Sequence, residues 1–361
     1  MPGSKLNALS LFSGCGGDTL GLERAGCRVI AFNEFNKAAT ATHLKNFPDS
    51  ELIVEPKSKA SDINKVPDAV FKAYENRVDI IFAGFPCQGF SRAGKKNATD
   101  PRNQLFRQFV RAARIVKPMF IIGENVVGLT SMKSGPEEDD PLMLDIIREA
   151  FREVGYELTY QVVEATDFGV PQKRKRILIV GWDTAQVSSF DTASFWAAVN
   201  TFGAQKPLPV MRSFVTNSME GAYLLPRASV PDNFAQFALP VAQNATPTGD
   251  PHPFIVLKAG ENLLSCKKRD SPVHSEIIDL DAPSKTIICT YDHQPRLLVG
   301  LIKPDGTAYA RCLLPDELKQ IQGFPANFEV CGNKKEQVVQ IGNAVPPGLV
   351  EAVAVSLEAM I

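Results

Sequence analysis

The stretch Ala8–Gly17, ALSLFSGCGG, decides the fold that the sequence predicts. Its apolar first half, Ala8–Phe12, predicts a short buried strand, and Ser13–Gly17 predicts a glycine-rich turn. A helical pattern follows, and then a second strand, Arg28–Asn33, which is followed directly by Glu34. A strand, a glycine turn, a helix and an acid after the next strand are typical of a nucleotide-cofactor site. For this stretch alone, a tight turn without a ligand is the alternative.

The spacing of the glycines narrows the choice of cofactor. Gly14, Gly16 and Gly17 follow the pattern G-x-G-G rather than the longer G-x-G-x-x-G that a dinucleotide pyrophosphate needs. S-adenosylmethionine carries no phosphate, so a shorter loop is sufficient for it. The loop therefore favours S-adenosylmethionine over a dinucleotide.

Further apolar stretches alternate with helical patterns. Strands are predicted at Asp79–Ala83, Met119–Gly123 and Arg176–Val180, and helices at Gln104–Val116 and Leu142–Val154. Strands that are apolar on both faces and alternate with helices are typical of sheets covered on both sides. We therefore expect an α/β fold with a doubly wound mixed sheet, similar to a Rossmann fold.

The texture of the sequence changes after about residue 184. Residues 200–300 are rich in proline and contain short strand-like pieces, and helical patterns return at Pro315–Gln322 and Pro347–Met360. We expect a catalytic and cofactor-binding domain over residues 1–200 that is completed by residues 338–361. A second, smaller β-rich domain with a hinge is expected over residues 201–337.

Composition limits the classes of function. The 361 residues are 44% hydrophobic and carry a net charge of −1, so a large core is possible and any surface for a polyanion must be local. The seven cysteines form no C-x-x-C pair, and the four histidines are scattered, so no metal site is expected. This cysteine usage favours a reduced, intracellular location. We expect neither a signal peptide nor a membrane-spanning segment.

A cysteine lies where chemistry is expected in such a sheet. The segment Gly84–Ser91, GFPCQGFS, follows the predicted strand Asp79–Ala83, and ligands of open α/β sheets bind at the carboxyl ends of strands. Cys87 is therefore a candidate nucleophile, which would act as its thiolate. A small buried core cysteine is the alternative, but the flanking proline and glycine indicate a shaped loop.

Two further segments carry candidate polar groups. Glu124, in the sequence GENV, follows another predicted strand and can act as a proton donor or hydrogen-bond anchor. In Gln172–Arg176, QKRKR, strand alternation places Arg174 and Arg176 on one face, where they could bind a phosphate or a carbonyl oxygen. A charge at a helix N-terminus and a solvated basic strand edge are the respective alternatives.

Together and in this order, these segments resemble the cytosine-C5 DNA methyltransferase family along the length of the chain. The resemblance rests on the loop FSGCGG, Pro86-Cys87-Gln88, Glu124-Asn125-Val126, Gln172-x-Arg174-x-Arg176, Arg311–Pro325 and Gln340-Ile341-Gly342-Asn343-Ala344-Val345. It fades between about residues 185 and 300, where such enzymes carry their target-recognition region. The recognition sequence and the residues that read it therefore stay unassigned.

The resemblance implies a cofactor, a partner and a mechanism. S-adenosylmethionine would bind at Phe12, Ser13, Gly14, Cys15, Gly16, Gly17, Glu34, Phe35, Asp62, Ile63, Pro86, Leu105, Asn343, Ala344 and Val345. Cys87 would attack C6 of a cytosine flipped out of double-stranded DNA, Glu124 would bind or protonate N3, and Arg176 with Arg174 would hold the O2 side. The methyl group would then pass to C5. A monomer, located wherever the DNA is, is expected by the same analogy.

The segment 89–103, GFSRAGKKNATDPRN, is long, basic and follows the candidate nucleophile. We expect it to close over DNA and the flipped base, with Ser91, Lys95, Lys96 and Arg102 near phosphates. An ordinary solvated loop is the alternative.

Other functions stay open at this stage. A tRNA cytosine-C5 methyltransferase shares the scaffold, but the long region 185–300 favours a reader of duplex DNA. A catalytically inactive DNA-binding homologue would be expected to lose at least one candidate catalytic residue, and Cys87, Glu124, Arg174 and Arg176 are all present. An NAD-dependent dehydrogenase accounts only for the first sixty residues or so.

Overall fold

The computed structural model describes residues 6–86, 104–135, 137–224, 254–255, 276–292, 296–302 and 307–361. Within these ranges a seven-stranded sheet has the order β3-β2-β1-β4-β5-β8-β6. Its strands are β1 (Asn7–Leu11), β2 (Arg28–Asn33), β3 (Glu51–Leu52), β4 (Ile80–Ala83), β5 (Phe120–Val126), β6 (Tyr156–Glu164) and β8 (Lys175–Asp183). The short β7 (Gln172–Lys173) precedes β8.

The large sheet is mixed. Strands β3, β2, β1, β4 and β5 pair in parallel, whereas β8 is antiparallel to both β5 and β6. This confirms the expected doubly wound mixed sheet. The sequence analysis did not predict β6, because Tyr156–Glu164 is an edge strand with polar residues on both faces and lacks the apolar run of the central strands.

Helices cover both faces of this sheet. They are α1 (Gly17–Arg24), α2 (Lys37–Asn46), α3 (Asp68–Lys72), α4 (Phe106–Val116), α5 (Met143–Arg152), α6 (Thr192–Ala204), α7 (Pro315–Ile321), α8 (Lys334–Asn343) and α9 (Pro347–Glu358). One hydrophobic cluster contains side chains of α3, α4 and α5, and another contains those of α1, α6 and α9. Each cluster also contains side chains from one face of the central strands, so the sheet is buried on both sides.

The spacing of apolar residues explains how these helices are placed. In α4, Phe106, Phe109, Ala113 and Val116 recur every three or four residues and are buried in the first cluster. The terminal helix α9 instead is apolar nearly all round, because it lies between α1 and α6. Residues 334–358 are long and apolar enough to cross a membrane by composition, but 72% of their most apolar window is buried inside the protein.

A second, smaller sheet contains β9 (Tyr223–Leu224), β10 (Phe254–Ile255), β11 (Glu276–Ile277), β13 (Leu297–Ile302) and β14 (Ala308–Cys312). Its order is β10-β13-β14-β9, all antiparallel, and β11 pairs in parallel with β13. A small β-rich unit was expected in this part of the chain. A third, two-stranded sheet joins β12 (Ser284–Lys285) to β7.

The division into two domains stays a prediction, although the packing refines it. Residues 200 and 338 both lie inside helices, α6 and α8 respectively. Val338 and Ile341 of α8 pack in the core of the smaller unit, whereas α9 packs on the large sheet. Boundaries after α6 and after α8 therefore suit the packing better.

Candidate active site

The glycine loop turns sharply at the carboxyl end of β1. Phe12, Gly14 and Gly16 have positive φ angles of 56°, 56° and 89°. The loop is held by two backbone hydrogen bonds, from Ser13 N to Asn33 O at 3.1 Å and from Gly16 N to Ser13 O at 2.9 Å. A Cβ atom on Gly14 would meet nothing within 4 Å, so the loop presents an open backbone there.

Glu34 anchors the same loop from the end of β2. Its Oε2 accepts a hydrogen bond from Gly14 N at 2.7 Å, and its Oε1 accepts one from Asn36 N at 2.6 Å. Burial raises the pKa of Glu34, and these backbone hydrogen bonds oppose the rise. The Glu34 carboxylate, which was predicted to bind the cofactor, is thus oriented by the backbone of the glycine loop and of Asn36.

Several groups around this loop fit the nucleoside and amino-acid parts of S-adenosylmethionine. The Ser13 hydroxyl is buried without a hydrogen-bond partner, so it is a polar group that a ligand could satisfy. Phe35 follows Glu34 and is 74% exposed, which makes its ring available for stacking on a base. The Gly14 backbone, the Glu34 carboxylate, a free hydroxyl and an exposed ring form a donor set of the required chemistry.

The other residues of the loop serve packing. A Cβ atom on Gly17 would lie 2.2 Å from Val345 O, and one on Gly16 would lie 2.5 Å from the Phe47 ring. Cys15 is fully buried, and burial together with the nearby Asp18 raises the pKa of its thiol to about 12. Glycine at these two positions allows close approach of protein to protein. The predicted contacts of Gly16 and Gly17 with a cofactor stay a prediction.

Residues 340–345, here called the closing segment, return to the glycine loop, as the resemblance implied. Val345 lies against Gly17, and its Cγ2 atom would be 3.5 Å from a Cβ on Gly84 at the end of β4. Ala344 and Val345 are buried, whereas Asn343 is exposed. Their contact with a cofactor stays a prediction.

The remaining predicted cofactor residues differ in character. Asp62 uses Oδ1 to accept hydrogen bonds from the backbone and side-chain nitrogens of Asn64, as expected for an acid in a turn. Ile63 is buried in the core, and Pro86 and Leu105 are half-buried. Across the described ranges, no group of three or more His, Cys, Asp and Glu side chains is arranged to hold a metal.

The candidate nucleophile and the predicted lid lie outside the described residues. This applies to Cys87, to the segment 89–103 and to its Ser91, Lys95, Lys96 and Arg102. The described residues next to them in the sequence are Pro86, which follows β4, and Gln104, which precedes α4.

Glu124 and Arg176 form an ion pair at one end of the large sheet. Arg176 Nε donates to Glu124 Oε1 at 2.8 Å, and the two side chains are only 14% and 11% exposed. The pairing of β5 with β8 brings them together. Val126 lies opposite Arg176, and Glu124, two residues before Val126, is on the same face of the sheet and so lies diagonally opposite Arg176. Glu124 lies inside β5 rather than after it, since the strand continues to Val126.

Asn125 connects this ion pair to the end of β4. Its Nδ2 donates to Phe85 O at 3.0 Å, and its Oδ1 accepts from Val126 N at 2.8 Å. Strands β4 and β5 are parallel neighbours, so both reach the same edge of the sheet. The structure therefore places Phe85, two residues before Cys87, against Asn125, the residue that follows Glu124.

Arg174 does not accompany Arg176 on an open face. It lies between β7 and β8 and is 2% exposed. Its guanidinium donates to the carbonyl oxygens of Ile287 (3.0 Å), Gly342 (3.2 Å) and Ala344 (3.2 Å). Burial lowers the pKa of Arg174 to about 9, so the guanidinium stays charged at neutral pH. The break between the two strands explains why simple alternation misplaced it.

Two glutamines extend this buried network. Gln172 Oε1 accepts from Ile287 N at 3.0 Å, and its amide donates to the Gln322 side chain. Gln322 in turn donates to Ala344 O at 2.6 Å. The network joins β7, the segment after β12, the end of α7 and the closing segment.

Comparisons with known proteins agree with this arrangement. Residues 6–359 match the family model of C-5 cytosine-specific DNA methylases. The chain belongs to this family.

Individual relatives support the same assignment. The chain is 30% identical to Type II methyltransferase M1.HphI of Haemophilus parahaemolyticus over 354 residues, which cover 97% of this chain and 86% of that protein. It is 32% identical to M.NgoFVII of Neisseria gonorrhoeae, with 96% and 85% covered. A DNA modification methyltransferase encoded within an Escherichia coli prophage shares the fold, with a TM-score of 0.65 at 22% identity and 99% of both chains covered.

The sequence analysis missed a buried acid beneath the cofactor loop of this methylase. Asp18, in the first turn of α1, is 1% exposed and accepts a hydrogen bond from Ser10, a fully buried residue of β1. Burial raises the pKa of Asp18 to about 7. The signal for it was a serine in an otherwise apolar strand.

The buried Asp18 predicts a specific dependence of stability on pH. Its folded pKa of about 7 exceeds its ordinary value of 3.8, so folding favours the protonated acid. The contribution of this group is complete below pH 3.8 and is lost as the pH rises to about 7. Asp18→Asn, which cannot ionise, should therefore gain stability relative to the wild type over this window. Urea unfolding at several pH values measures the difference, and a difference that does not change with pH would contradict it.

Substitutions of Arg174 and Arg176 are predicted to differ in their effects on stability and on methyl transfer. Arg174→Met removes the donor to the buried carbonyl groups of Ile287 and Gly342, whereas Ala344 O keeps the hydrogen bond from Gln322, and it should lower the free energy of unfolding by about 3 kcal/mol. Arg176→Met leaves the Glu124 carboxylate without its partner and should abolish methyl transfer. Its cost in stability should be smaller than that of Arg174→Met, because both side chains of the Glu124–Arg176 pair reach solvent. Denaturant unfolding and a methylation assay on both variants separate the two roles. Equal losses of stability would contradict the assignment.

Proposed function

We propose that this protein transfers a methyl group from S-adenosylmethionine to C5 of cytosine in double-stranded DNA, through a covalent bond between Cys87 and C6. The observation that carries the proposal is the Glu124–Arg176 ion pair, which Asn125 ties to the start of the Cys87 segment. Membership of the C-5 cytosine-specific DNA methylase family supports the reaction and the substrate.

The chemistry explains why these groups are needed. C5 of cytosine is a poor nucleophile, and addition of a thiolate to C6 makes the ring enamine-like. As the Cys87 sulfur bonds to C6, the electrons of the C5–C6 double bond form a double bond between C4 and C5. The electrons of the C4–N3 double bond move to N3, which Glu124 binds or protonates. A general acid of this kind typically contributes a factor of about 10²–10⁴.

Arg176 has two tasks in this proposal. Its Nε holds Glu124 in place, and its guanidinium can donate to O2 of the base, where negative charge develops. Arg174 is then a positioning residue, because its hydrogen bonds go to backbone carbonyls of the closing segment. Both arginines support the reaction, but only Arg176 would touch the cytosine.

The glycine loop, Ser13, Glu34 and Phe35 would hold S-adenosylmethionine, which would supply an electrophilic methyl group for the activated C5. Loss of the C5 proton then restores the ring, and the C6–sulfur bond breaks to release the Cys87 thiolate. The cytosine must leave the base stack to reach this site, at a cost of about a few kcal/mol.

The names of the relatives support a biological role. Type II methyltransferases act beside restriction enzymes, and two relatives at 30% and 32% identity carry that name. We therefore propose that this protein is the modification component of a restriction–modification system, inside the cell that holds the DNA.

A mechanism-based trap tests the covalent step. A long mixed-sequence duplex in which 5-fluorocytosine replaces every cytosine of one strand presents the base in many short sequence contexts, and fluorine at C5 blocks the final elimination. With S-adenosylmethionine, the wild type should form a complex that survives denaturation. Cys87→Ala should form none, and Glu124→Gln should form it about 10²–10⁴ times more slowly.

The control variant is Cys331→Ala, which removes a partly buried thiol elsewhere in the chain and should trap as the wild type does. A complex that persists in Cys87→Ala, or its absence from the wild type, would contradict the proposal. The same assay on tRNA with 5-fluorocytosine distinguishes the alternative substrate.

A further inference from the structure

Asp18 is a buried acid that the proposed reaction does not use. It is 1% exposed and lies in the first turn of α1, directly after the glycine loop. The hydroxyl of Ser10, a fully buried residue of β1, donates to Asp18 Oδ2. The carboxyl group of Asp18 therefore lies between α1 and β1, next to the loop.

A second buried acid acts on the same loop. Glu34 Oε2 accepts from Gly14 N at 2.7 Å, and the charge of Glu34 adds to the effect of burial in raising the pKa of Asp18. The charges of Asp18 and Glu34 also add to the effect of burial in raising the pKa of Cys15, a fully buried residue of the loop. Both acids are thus close enough to the glycine loop to interact electrostatically across it.

No positive charge of the described residues balances these two acids. Within the described ranges, neither Asp18 nor Glu34 forms an ion pair, and no lysine or arginine lowers the pKa of either acid. Helix α2 presents His43 to α1, but burial lowers the pKa of His43 to about 3 and so keeps it neutral. Helix α9, which packs along α1, carries Glu351, whose Oε1 accepts from Lys206 Nζ at 2.7 Å. The loop therefore has an excess of negative charge when both acids are ionised.

S-adenosylmethionine has the charge that this loop lacks. Its sulfonium group is a cation, whereas the sulfur of S-adenosylhomocysteine, which remains after methyl transfer, is neutral. The Ser13 hydroxyl of the same loop is buried without a hydrogen-bond partner among the described residues, which independently indicates that a ligand binds here. At an effective dielectric constant of about 20, two unit charges about 10–15 Å apart change a binding constant by roughly five- to twentyfold.

We propose that Asp18 is a specificity-determining residue whose carboxylate makes the site prefer the cationic methyl donor over its neutral product. This inference rests on the proposed function, because it requires S-adenosylmethionine to bind at the glycine loop. The effect acts through the charge of Asp18 and needs no direct contact with the ligand.

The preference should depend on pH in a defined direction. Burial raises the pKa of Asp18 to about 7, so the group is neutral at lower pH and ionised at higher pH. A cation bound nearby stabilises the ionised form and lowers this pKa. The affinity for S-adenosylmethionine should therefore rise relative to that for S-adenosylhomocysteine as the pH increases through this range.

Binding measurements test this preference without methyl transfer. The dissociation constants of both ligands are measured by isothermal titration calorimetry between about pH 5.5 and 8.5, for the wild type and for Asp18→Asn. In the wild type, the ratio of the S-adenosylhomocysteine constant to the S-adenosylmethionine constant should rise roughly five- to twentyfold with pH. Asp18→Asn, which cannot ionise, should lack this rise. The α-amino group of each ligand also titrates, at about pH 8, but it does so with both proteins, so the difference between the proteins reports Asp18.

Ser10→Ala provides a second, independent variant. The hydrogen bond from Ser10 lowers the pKa of Asp18, so its removal should move the midpoint of the rise to higher pH. A wild-type ratio that does not change with pH, or an equal rise in Asp18→Asn, would overturn the inference. If the wild type fails to bind S-adenosylmethionine at any pH, the proposed function itself is contradicted, whereas binding with a constant ratio contradicts only the role of Asp18.

Discussion

The arrangement of the active-site region depends on the hydrogen bonds that the buried guanidinium of Arg174 donates. A charged group that is 2% exposed is costly unless its donors are satisfied, and the two terminal nitrogens of Arg174 donate to three backbone carbonyl groups. Its buried Nε has no hydrogen-bond partner among the described residues. Two of these carbonyl groups belong to the closing segment, at Gly342 and Ala344, and the third belongs to Ile287. These hydrogen bonds hold segments more than a hundred residues from Arg174 around its side chain. The hydrogen bond between Gln172 and Gln322 connects the same segments.

The hydrogen bonds around Arg174 connect the glycine loop to the Glu124–Arg176 pair. On one side, the closing segment continues to Val345, which packs against Gly17 and so supports the loop that Glu34 anchors. On the other side, Arg174 precedes β8, which carries Arg176 to Glu124. The glycine loop and the candidate catalytic pair are thus coupled through backbone contacts, which suits the proposed alignment of a methyl donor with an activated ring.

Much of this was predictable from the sequence, for identifiable reasons. The central strands are apolar on both faces, so β1, β2, β4 and β5 were found, and the apolar spacing of α4 gave that helix to within two residues. The pairing of Glu124 with Arg176 was not predictable, because it depends on the antiparallel register of β5 and β8. Arg174 was misplaced because the break between β7 and β8 interrupts the alternation, and Asp18 was missed because burial of an acid depends on tertiary packing.

The central claim concerns where on the base the methyl group goes. In the proposed mechanism, transfer to C5 needs ring activation by Cys87 and Glu124, whereas transfer to an exocyclic nitrogen would not. Duplex DNA incubated with the protein and S-adenosylmethionine labelled in its methyl group can be digested to nucleosides and separated by chromatography and mass spectrometry. The account predicts label only in 5-methyldeoxycytidine. Label in N4-methyldeoxycytidine or N6-methyldeoxyadenosine would contradict it.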